Sequence, residues 1–443
     1  MRLLLSCCLL AAFCGCKLNE ETKVKAIIGA VLIDGNGGPP ITDSVVVVSG
    51  NRIRAAGLRA NVPIPAGSDK INGSGKFLTP GLIDLHVHLG TRGGPKFIAS
   101  EYTRERVEQN LNAYLYYGVT TVRSVGTERD AGFAVRKAER DGALLTARLF
   151  TAGRGFTAVR GHPSQEIGDI ARQTDDPDDA RKQVAELAAQ QVDCIKIWMD
   201  EVRGRQPKVK TEVVDAILEE ARKYNIPVTV HIYSLADTEH LVDAGAAGFL
   251  HMVRDTEDLS PAFLAKVRSL KLPFTPTLVR QELAWLYAEH PERLADPDVI
   301  HTIDAAALQA VKDATRGKQG DARSREEFDR AMRNTKRMLA AGVPIGVGSD
   351  GGSANDFPGA MTHREMELLA QAGFSPVEII TAATRNGALA LRKLDELGTI
   401  EAGKRADLLL LNANPLEDVR NFRKIDQLML NGEWIDRSGL KVK

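Results

Sequence analysis

Eight short apolar runs recur along the middle of this sequence, and amphipathic stretches with helical periodicity separate them. This alternation of strand and helix signals is typical of a parallel sheet whose strands are connected by crossover helices. Eight such units can close into a barrel, in which the carboxyl ends of the strands carry the chemistry. We therefore predict an α/β fold with a TIM-like (β/α)8 barrel. The runs are Leu82–His88, Thr120–Val125, Arg148–Ala152, Cys194–Trp198, Val228–His231, Gly248–His251, Pro273–Leu278 and Pro344–Gly348.

Both ends of the chain carry a different pattern, in which short β-branched or leucine-rich runs are bounded by turn residues. Ser44–Val48 is one such run, and Asp407–Asn412 is another. We predict that residues 24–79 and 398–443 together form a small β-sandwich. Residues 80–397, between the two segments, would then form the barrel.

The first 16 residues are predicted to be a secretory signal. Arg2 precedes the apolar run Leu3–Phe13, which is too short to span a bilayer. Phe13-Cys14-Gly15-Cys16 is similar to a bacterial lipobox, in which Cys16 would be lipidated, and ordinary cleavage without a lipid is the alternative. Residues 17–23 are polar and predict a short tether. We expect export across the inner membrane and a periplasmic or cell-surface lipoprotein, with a lipid anchor at Cys16 as its contact with the membrane.

Charge and cysteine content limit the other partners. The chain has 58 Lys+Arg and 58 Asp+Glu, whereas nucleic-acid binding needs a cationic excess, so nucleic acid is not an expected partner. Cys194 is the one cysteine outside the predicted signal, so we expect no disulfide framework.

Metal-competent side chains fall at the carboxyl ends of the apolar runs or within them. They are His86, His88, Lys196, His231, His251 and Asp350. His86 and His88 are two residues apart in a strand, so both imidazoles point to the same face, here the barrel interior. Taken singly, a His-x-His pair can be structural, and Asp350 can be a helix N-cap. Their joint occurrence where a barrel gathers side chains from distant positions favours a metal site.

Lys196 interrupts the apolar run Cys194–Trp198. A buried ammonium is costly unless its charge is removed or compensated, and a salt bridge is the ordinary solution. Reaction of the neutral amine with CO₂ is a second solution, because it turns the lysine into a carboxylate-like ligand that can bridge two cations. The position of Lys196 beside four histidines and an aspartate favours this second solution, so CO₂-derived carboxylation of Lys196 is our prediction.

Two longer motifs resemble the amidohydrolase superfamily. Leu78-Thr79-Pro80-Gly81-Leu82-Ile83-Asp84-Leu85-His86-Val87-His88 resembles its opening signature, and Gly398–Leu408 resembles its return into a β-sandwich. The chain is most similar to the branch that contains metal-dependent dipeptidases of the prolidase and Xaa-Arg type, phenylurea hydrolases and imidazolonepropionase relatives. The resemblance covers nearly the whole chain after the predicted signal.

The resemblance implies a binuclear metal centre. In binuclear members, the residues matching His86, His88 and Asp350 hold one metal, and those matching His231 and His251 hold the other. A carboxylated lysine, at the position of the buried lysine described above, bridges them. Imidazole and carboxylate suit zinc, so two divalent ions, expected to be Zn²⁺, are the predicted cofactors.

Such a centre implies hydrolysis. A bound metal lowers the pKa of water toward ~7, and two metals ~3.5–4 Å apart can hold both attacking and leaving oxygens. Asp350 is then placed to take a proton from the hydroxide and pass it to the departing amine. The mononuclear alternative fits less well, because Ser234 stands where superfamily deaminases often carry Glu and because imidazolonepropionase-like enzymes lack the bridging lysine.

Candidate substrate-binding residues lie just past the strand ends. Arg154, Arg160 and His162 follow the third run, and a cation beside the metals would hold a substrate carboxylate. In the dipeptidase relatives a Gly-His loop contributes here, so His162 is the preferred residue, and solvated loop charges are the alternative for the arginines. Trp198 and Tyr233 are predicted to line the pocket, although Trp198 is equally suited to core packing.

We predict a metal-dependent amidohydrolase that cleaves an amide C–N bond in a dipeptide or an N-acyl amino acid-like small molecule. Hydrolysis of a urea, carbamate or lactam is the alternative within the class, and a ligand-binding lipoprotein is the non-enzymatic alternative. The full ligand set with Asp350 favours the enzyme, since a binding module needs no proton shuttle. Relatives often form rings or dimers, so a homo-oligomer is expected.

Overall fold

The computed structural model describes residues 23–441. The predicted signal, the predicted lipidation site Cys16 and all of the tether except Lys23 lie outside the described residues. Within the described part, none of the helices is both long enough and apolar enough to cross a membrane.

The strands occur in two groups along the chain, one at both ends and one in the middle. Those at the ends are β1 Val24–Leu32, β2 Ile41–Ser49, β3 Arg52–Leu58, β4 Asp69–Asn72, β5 Phe77–Pro80, β15 Leu408–Leu411, β16 Ile425–Leu430 and β17 Glu433–Ile435. Those in the middle are β6 Leu82–Val87, β7 Val119–Gly126, β8 Arg148–Arg154, β9 Phe156–Thr157, β10 Arg172–Gln173, β11 Ile195–Trp198, β12 Val228–His231, β13 Gly248–Leu250 and β14 Phe274–Thr275.

Helices follow the middle strands. They are α1 Arg104–Tyr116, α2 Asp130–Arg140, α3 Ser164–Ile167, α4 Pro177–Ala189, α5 Thr211–Lys223, α6 Leu235–Ala244, α7 Pro261–Ser269, α8 Leu278–Glu282, α9 Leu286–Glu289, α10 Pro297–Ile300, α11 Ala305–Thr315, α12 Ala322–Ala340, α13 Ala360–Gln371, α14 Pro376–Ala383 and α15 Arg385–Ala390. Short 3₁₀ turns occur between several of them.

The end segments join in one mixed sheet of eight strands, in the order β17-β16-β15-β5-β1-β2-β3, with β4 also paired to β1. β5 pairs antiparallel with β15, so the two ends of the chain are hydrogen-bonded to each other. Alternate side chains of these strands form an apolar cluster that includes Ile27, Val46, Leu78 and Leu410. The strands are assigned to one hydrogen-bonded sheet, and the predicted division into two sandwich layers stays a prediction.

The middle strands form two parallel sheets, β6-β7-β8 and β10-β9-β11-β12-β13-β14. With their crossover helices they make a TIM-barrel-like α/β fold, as the alternating pattern predicts. The first seven apolar runs each overlap one of these strands, and β7 and β8 extend beyond their runs. The eighth run, Pro344–Gly348, was expected to be a strand, but among the described residues it forms only one isolated bridge, between Phe274 and Ile345, and single hydrogen bonds.

Two glycines explain this difference in the eighth run. A Cβ at Gly346 would come within 2.5 Å of Leu85, and one at Gly348 within 2.4 Å of Thr275. The backbone of this segment therefore lies directly against β6 and β14, where a side chain has no room. Leu85 N donates to Val347 O at 2.9 Å, so the segment leads toward the same edge as the strand ends.

Helix α14 begins at a cap that its own first residues form. The Ser375 side chain accepts from the backbone of Glu378, and the Glu378 carboxylate accepts from the Ser375 backbone, which is a capping box. Pro376 occupies the first helical position, where its missing N–H costs nothing.

Candidate metal centre

Three imidazoles converge on the carboxylate of Asp350. His86 Nε2 lies 3.3 Å and His88 Nε2 lies 2.9 Å from Asp350 Oδ1, and His251 Nε2 lies 3.8 Å from Oδ2. His86 belongs to β6, His88 and His251 follow the last residues of β6 and β13, and Asp350 follows the glycine-rich eighth run. The parallel sheets therefore bring together residues that are more than 260 positions apart, because all their strands end at one edge.

A fourth imidazole, that of His231, adjoins this group. It is the last residue of β12, and its ring centroid lies 4.2 Å from that of His251. Its Nε2 lies 2.9 Å from Oδ2 of Asp200, two residues past the end of β11. The sequence-predicted histidines are thus in one cluster.

Lys196 lies in the middle of β11 and is fully buried. Its Nζ has no hydrogen-bond partner among the described residues, and it lies 5.4 Å from the centroid of the Trp198 ring. Gly155 packs on it so closely that a Cβ there would come within 2.9 Å of Lys196 Cγ. Burial lowers the pKa of Lys196 to about 7, so a large share of the amine is uncharged at neutral pH.

The charge states of the cluster suit a bound cation. Burial lowers the pKa of His86 and His251 well below the ordinary histidine value, which leaves these imidazoles neutral with a free lone pair. Burial opposes ionisation of Asp350, but the surrounding imidazoles, His86 and His88 foremost, hold the pKa of its carboxyl well below the usual range. Neutral imidazoles around an ionised carboxylate are the protonation states that metal binding requires.

Donor geometry also fits a divalent cation. Donor atoms of His86, His251 and Asp350 all lie within 4.8 Å of one another, and all three residues are buried. Two nitrogens and one oxygen are a ligand set that zinc accepts in catalytic sites, with a position left for water. The residues present therefore fit a metal centre.

Several polar contacts fix the ligands in place. The buried carboxylate of Asp84 accepts from the hydroxyls of Ser349 and Thr362, each at 2.7 Å, and from the backbone N–H of His86. This carboxylate joins the His86 strand to the segment that carries Asp350. The hydroxyl of Thr277 contacts Nδ1 of His251 in the same supporting manner.

A cavity of about 600 Å³ opens above the cluster. Its walls combine apolar side chains, including Phe97, Leu283 and Trp285, with cations such as Arg254 and Arg280. The volume and the mixed lining suit a small organic molecule with a polar or charged group.

Three of the predicted substrate-binding residues line this cavity. The His162 ring centroid lies 5.5 Å from that of His231, and Gln165 is hydrogen-bonded to His162 Nδ1 at 3.0 Å. Tyr233 donates its hydroxyl to Glu327 Oε1 at 2.9 Å. Trp198 is buried, but it also contributes to the lining.

The structure does not bring Arg154 and Arg160 to the centre. Neither is among the described residues that line the cavity. The Arg154 guanidinium instead donates to the carbonyls of Ile170 and Asp169, because the chain returns to pair β10 with β9, next to the end of β8. Arg160 is exposed on the same loop. Their roles in substrate binding stay predictions without a supporting contact.

Sequence reasoning did not single out Asp200 or Glu327. Asp200 follows the run Cys194–Trp198 by two residues, as Asp350 follows the run Pro344–Gly348, and the same rule would have found it. Glu327 had no such signal, since it lies on α12 and reaches the cavity only through the packing of that helix.

Comparison with known proteins agrees with this geometry. Residues 77–435 match the model of the amidohydrolase family. Ochratoxinase from Aspergillus niger is 24% identical over 446 residues, covering 92% of this chain and 85% of that protein, and imidazolonepropionase from Streptomyces griseus is 25% identical, covering 86% and 88%. Among solved structures, a Xaa-Pro dipeptidase with bound methionine in its active site has a TM-score of 0.75 and 22% identity, covering 94% of this chain and 100% of that one.

Proposed function

The chain belongs to the amidohydrolase family and is a metal-dependent hydrolase of carbon–nitrogen bonds, and from this premise we propose that it uses two metal ions to cleave an amide bond in a dipeptide or an N-acyl amino acid-like small molecule. The observation that carries the proposal is the cluster of four histidines and one aspartate that lines a cavity of about 600 Å³. A buried lysine without a hydrogen-bond partner among the described residues lies on β11, which pairs with the His231 strand.

In the proposed centre, His86, His88 and Asp350 hold one divalent ion, and His231 and His251 hold the other. The contacts of Asp350 with the first two imidazoles and the adjacent rings of the last two support this division. Zinc is the proposed metal, because it accepts this mixture of imidazole and carboxylate ligands.

Lys196 is proposed to be carboxylated and to bridge the two ions. Its buried amine, with a pKa of about 7, supplies the neutral nucleophile that attacks CO₂, and one proton is released as the carbamate forms. The product is an anion that ends in two oxygens, so it has the ligand chemistry that a bridge requires. Carbamate formation also removes the cost of burying an ammonium without a partner.

The metals, when bound, activate water as a nucleophile and polarise the scissile carbonyl. Asp350 lies among the ligands and faces the cavity, so its carboxylate is the group proposed to accept a proton there and to return it to the departing nitrogen. Arg280 Nε lies 3.7 Å from Asp350 Oδ2 and adds positive charge beside the carboxylate.

Substrate recognition is proposed to involve His162, Tyr233 and Trp198 on the cavity wall. A donor and an aromatic face are the groups that would hold a carboxylate and an apolar side chain of one small molecule. The dipeptidase name of the compared structure supports a substrate of this kind.

Two finer features of the fold are also proposed. The two parallel sheets and the segment 344–351 are proposed to form one closed ring, supported by hydrogen bonds from Asp193 N to Thr151 O and from His88 N to Gly351 O. The mixed sheet is proposed to fold into a two-layer sandwich around its apolar cluster.

Export and acylation at Cys16 are a separate proposal that rests on the N-terminal sequence alone. Mass spectrometry of the mature N-terminus from a membrane fraction tests it. A diacylglyceryl-modified Cys16 supports the anchor, and an unmodified N-terminus beyond the signal contradicts it.

The proposed reaction is tested on protein loaded with zinc and bicarbonate, with elemental analysis of metal per chain. The substrate panel contains dipeptides, N-acyl amino acids and the matching amides without the carboxylate, together with a urea, a carbamate and a lactam. Two zinc ions per chain and hydrolysis of the carboxylate-bearing amides support the proposal. Preference for the urea, carbamate or lactam contradicts the proposed substrate class, and full activity in chelator-treated protein contradicts metal dependence.

A further inference from the structure

One histidine of the centre is turned differently from the other three. The others direct Nε2 toward Asp350, whereas Nε2 of His231 lies 2.9 Å from Oδ2 of Asp200. Nδ1 of His231 makes no hydrogen bond with the described residues. This imidazole therefore has one nitrogen committed to a carboxylate and the other free.

Asp200 is itself firmly held. Its Oδ1 accepts from the backbone N–H of Val202 at 2.6 Å, and Arg254 Nη2 lies 3.6 Å from its Oδ2. Val202 has a φ of +49°, a left-handed conformation that a β-branched residue rarely adopts, so the surrounding loop is constrained.

We propose that Asp200 is a positioning residue for His231, because its carboxylate accepts the Nε2–H of the imidazole and so keeps the lone pair on Nδ1 available for a metal ion. A carboxylate behind a ligating histidine fixes both the tautomer and the ring orientation, and the loss of such a partner typically lowers metal affinity about 10–100-fold. The inference rests on the proposed role of His231 as a metal ligand.

Two other roles for Asp200 make different predictions. If Asp200 only neutralises Arg254, its removal leaves the metal affinity unchanged, and the longer distance of 3.6 Å disfavours that role. If Asp200 is itself a ligand, its carboxylate binds the ion and does not hold Nε2 of His231, whereas Nε2 and Asp200 Oδ2 lie 2.9 Å apart.

The test uses the full chain with Asp200→Asn, which keeps the size of the side chain and removes its charge. Zinc affinity is measured by competition with a chromophoric chelator, and thermal unfolding of the metal-free protein shows whether the variant is folded. Asp321→Asn is the matched control, because Asp321 also lines the cavity but caps α12 through Ser324. An asparagine keeps that cap.

We expect Asp200→Asn to weaken the binding of one of the two zinc ions by about 10–100-fold and the control to leave both unchanged. In ¹⁵N-histidine NMR of the zinc-loaded wild type, one histidine should show a metal-bound Nδ1 and a protonated Nε2, and the signal should vanish in His231→Asn. Equal zinc affinity in Asp200→Asn, or a His231 that is bound through Nε2, overturns the inference while the proposed function stands. A wild-type chain that binds no zinc overturns both.

Discussion

Asp350 lies between the proposed metal ligands and the cavity, since its two oxygens lie within 3.8 Å of three imidazoles and one guanidinium. Replacing it by asparagine keeps an oxygen that can bind metal but removes the group that accepts a proton. We expect Asp350→Asn to retain bound zinc and to lower kcat by about 10²–10⁴-fold. Steady-state kinetics with metal analysis checks this, with the exposed Asp258→Asn as the control. Unaltered turnover in zinc-loaded Asp350→Asn would remove its catalytic role.

Lys196 allows a second experiment at the residue scale. Lys196→Ala removes the proposed bridge, so we expect metal content to fall below two ions per chain and activity to fall with it. A short-chain carboxylic acid added with excess zinc should recover part of both, because it can occupy the space of the missing carbamate. The exposed Lys182→Ala, on α4, should behave as the wild type. A full metal complement in Lys196→Ala would refute the bridge.

The sequence predicts the surroundings of some of these side chains better than those of others. Lys196 could be recognised because a charge inside an apolar run is conspicuous, and its complete burial agrees with that interpretation. Arg154 could not be placed, since the direction of its side chain depends on a loop that returns to offer the carbonyls of Ile170 and Asp169. Asp200 acquires its significance only from His231, on the neighbouring strand.

At the scale of elements, helix α13 packs a carboxyl group against the helix that follows β14. Glu365 is fully buried, its Oε2 accepts from Val279 N at 2.8 Å, and its Oε1 has no partner among the described residues. Burial raises the pKa of Glu365 to about 8. The protonated form is therefore the one that the fold accommodates.

This raised pKa makes stability depend on pH. Because the folded state binds the proton of Glu365 more tightly than the unfolded chain does, protonation adds to the free energy of unfolding. This contribution is fully present below the ordinary pKa of 4.5 and is lost as the pH rises through about 8. Glu365→Gln cannot ionise, so its free energy of unfolding does not depend on this titration. We therefore expect the free energy of unfolding of Glu365→Gln minus that of the wild type to be larger at pH 8.5 than at pH 5, by on the order of 3 kcal/mol. Urea unfolding at both pH values checks this, with Glu239→Gln on the exposed face of α6 as the control. A difference between wild type and Glu365→Gln that is the same at both pH values would contradict the prediction.

Regular elements were predictable where a periodic pattern or a local cap determines them. The Ser375 capping box is a local contact, and the first seven parallel runs are apolar enough to form strands in any such sheet. The conformation of the eighth run could not be predicted, because it depends on how closely Gly346 and Gly348 approach β6 and β14. Such an approach depends on tertiary packing and leaves no periodic signal in the sequence.

At the scale of the whole molecule, a buried ion pair joins the parallel sheets to the mixed sheet. Arg148, the first residue of β8, donates to Asp407 Oδ2 at 2.6 Å, just before β15, and both side chains are less than 10% exposed. The sequence predicts that the two ends of the chain combine, because both carry β patterns. It does not predict this pair, whose members are 259 residues apart.

The Arg148–Asp407 pair tests whether the molecule unfolds as one unit. Asp407→Ala leaves a buried guanidinium whose next carboxylate, Glu139, is 3.8 Å away, so we expect a loss of about 3–5 kcal/mol in the free energy of unfolding. The fluorescence of Trp434 in β17 and that of Trp198 beside the candidate metal centre are each isolated by replacing the other tryptophans with Phe. If the two parts unfold together, both signals will show the same denaturant midpoint, lower than that of the wild type. Asp426→Ala is the control, because its ion pair with Lys76 is partly exposed and lies within the mixed sheet, and it should cost less than about 1 kcal/mol. Separate midpoints for the two tryptophans would mean that the metal-binding part folds without the mixed sheet, and the pair would then be a local contact.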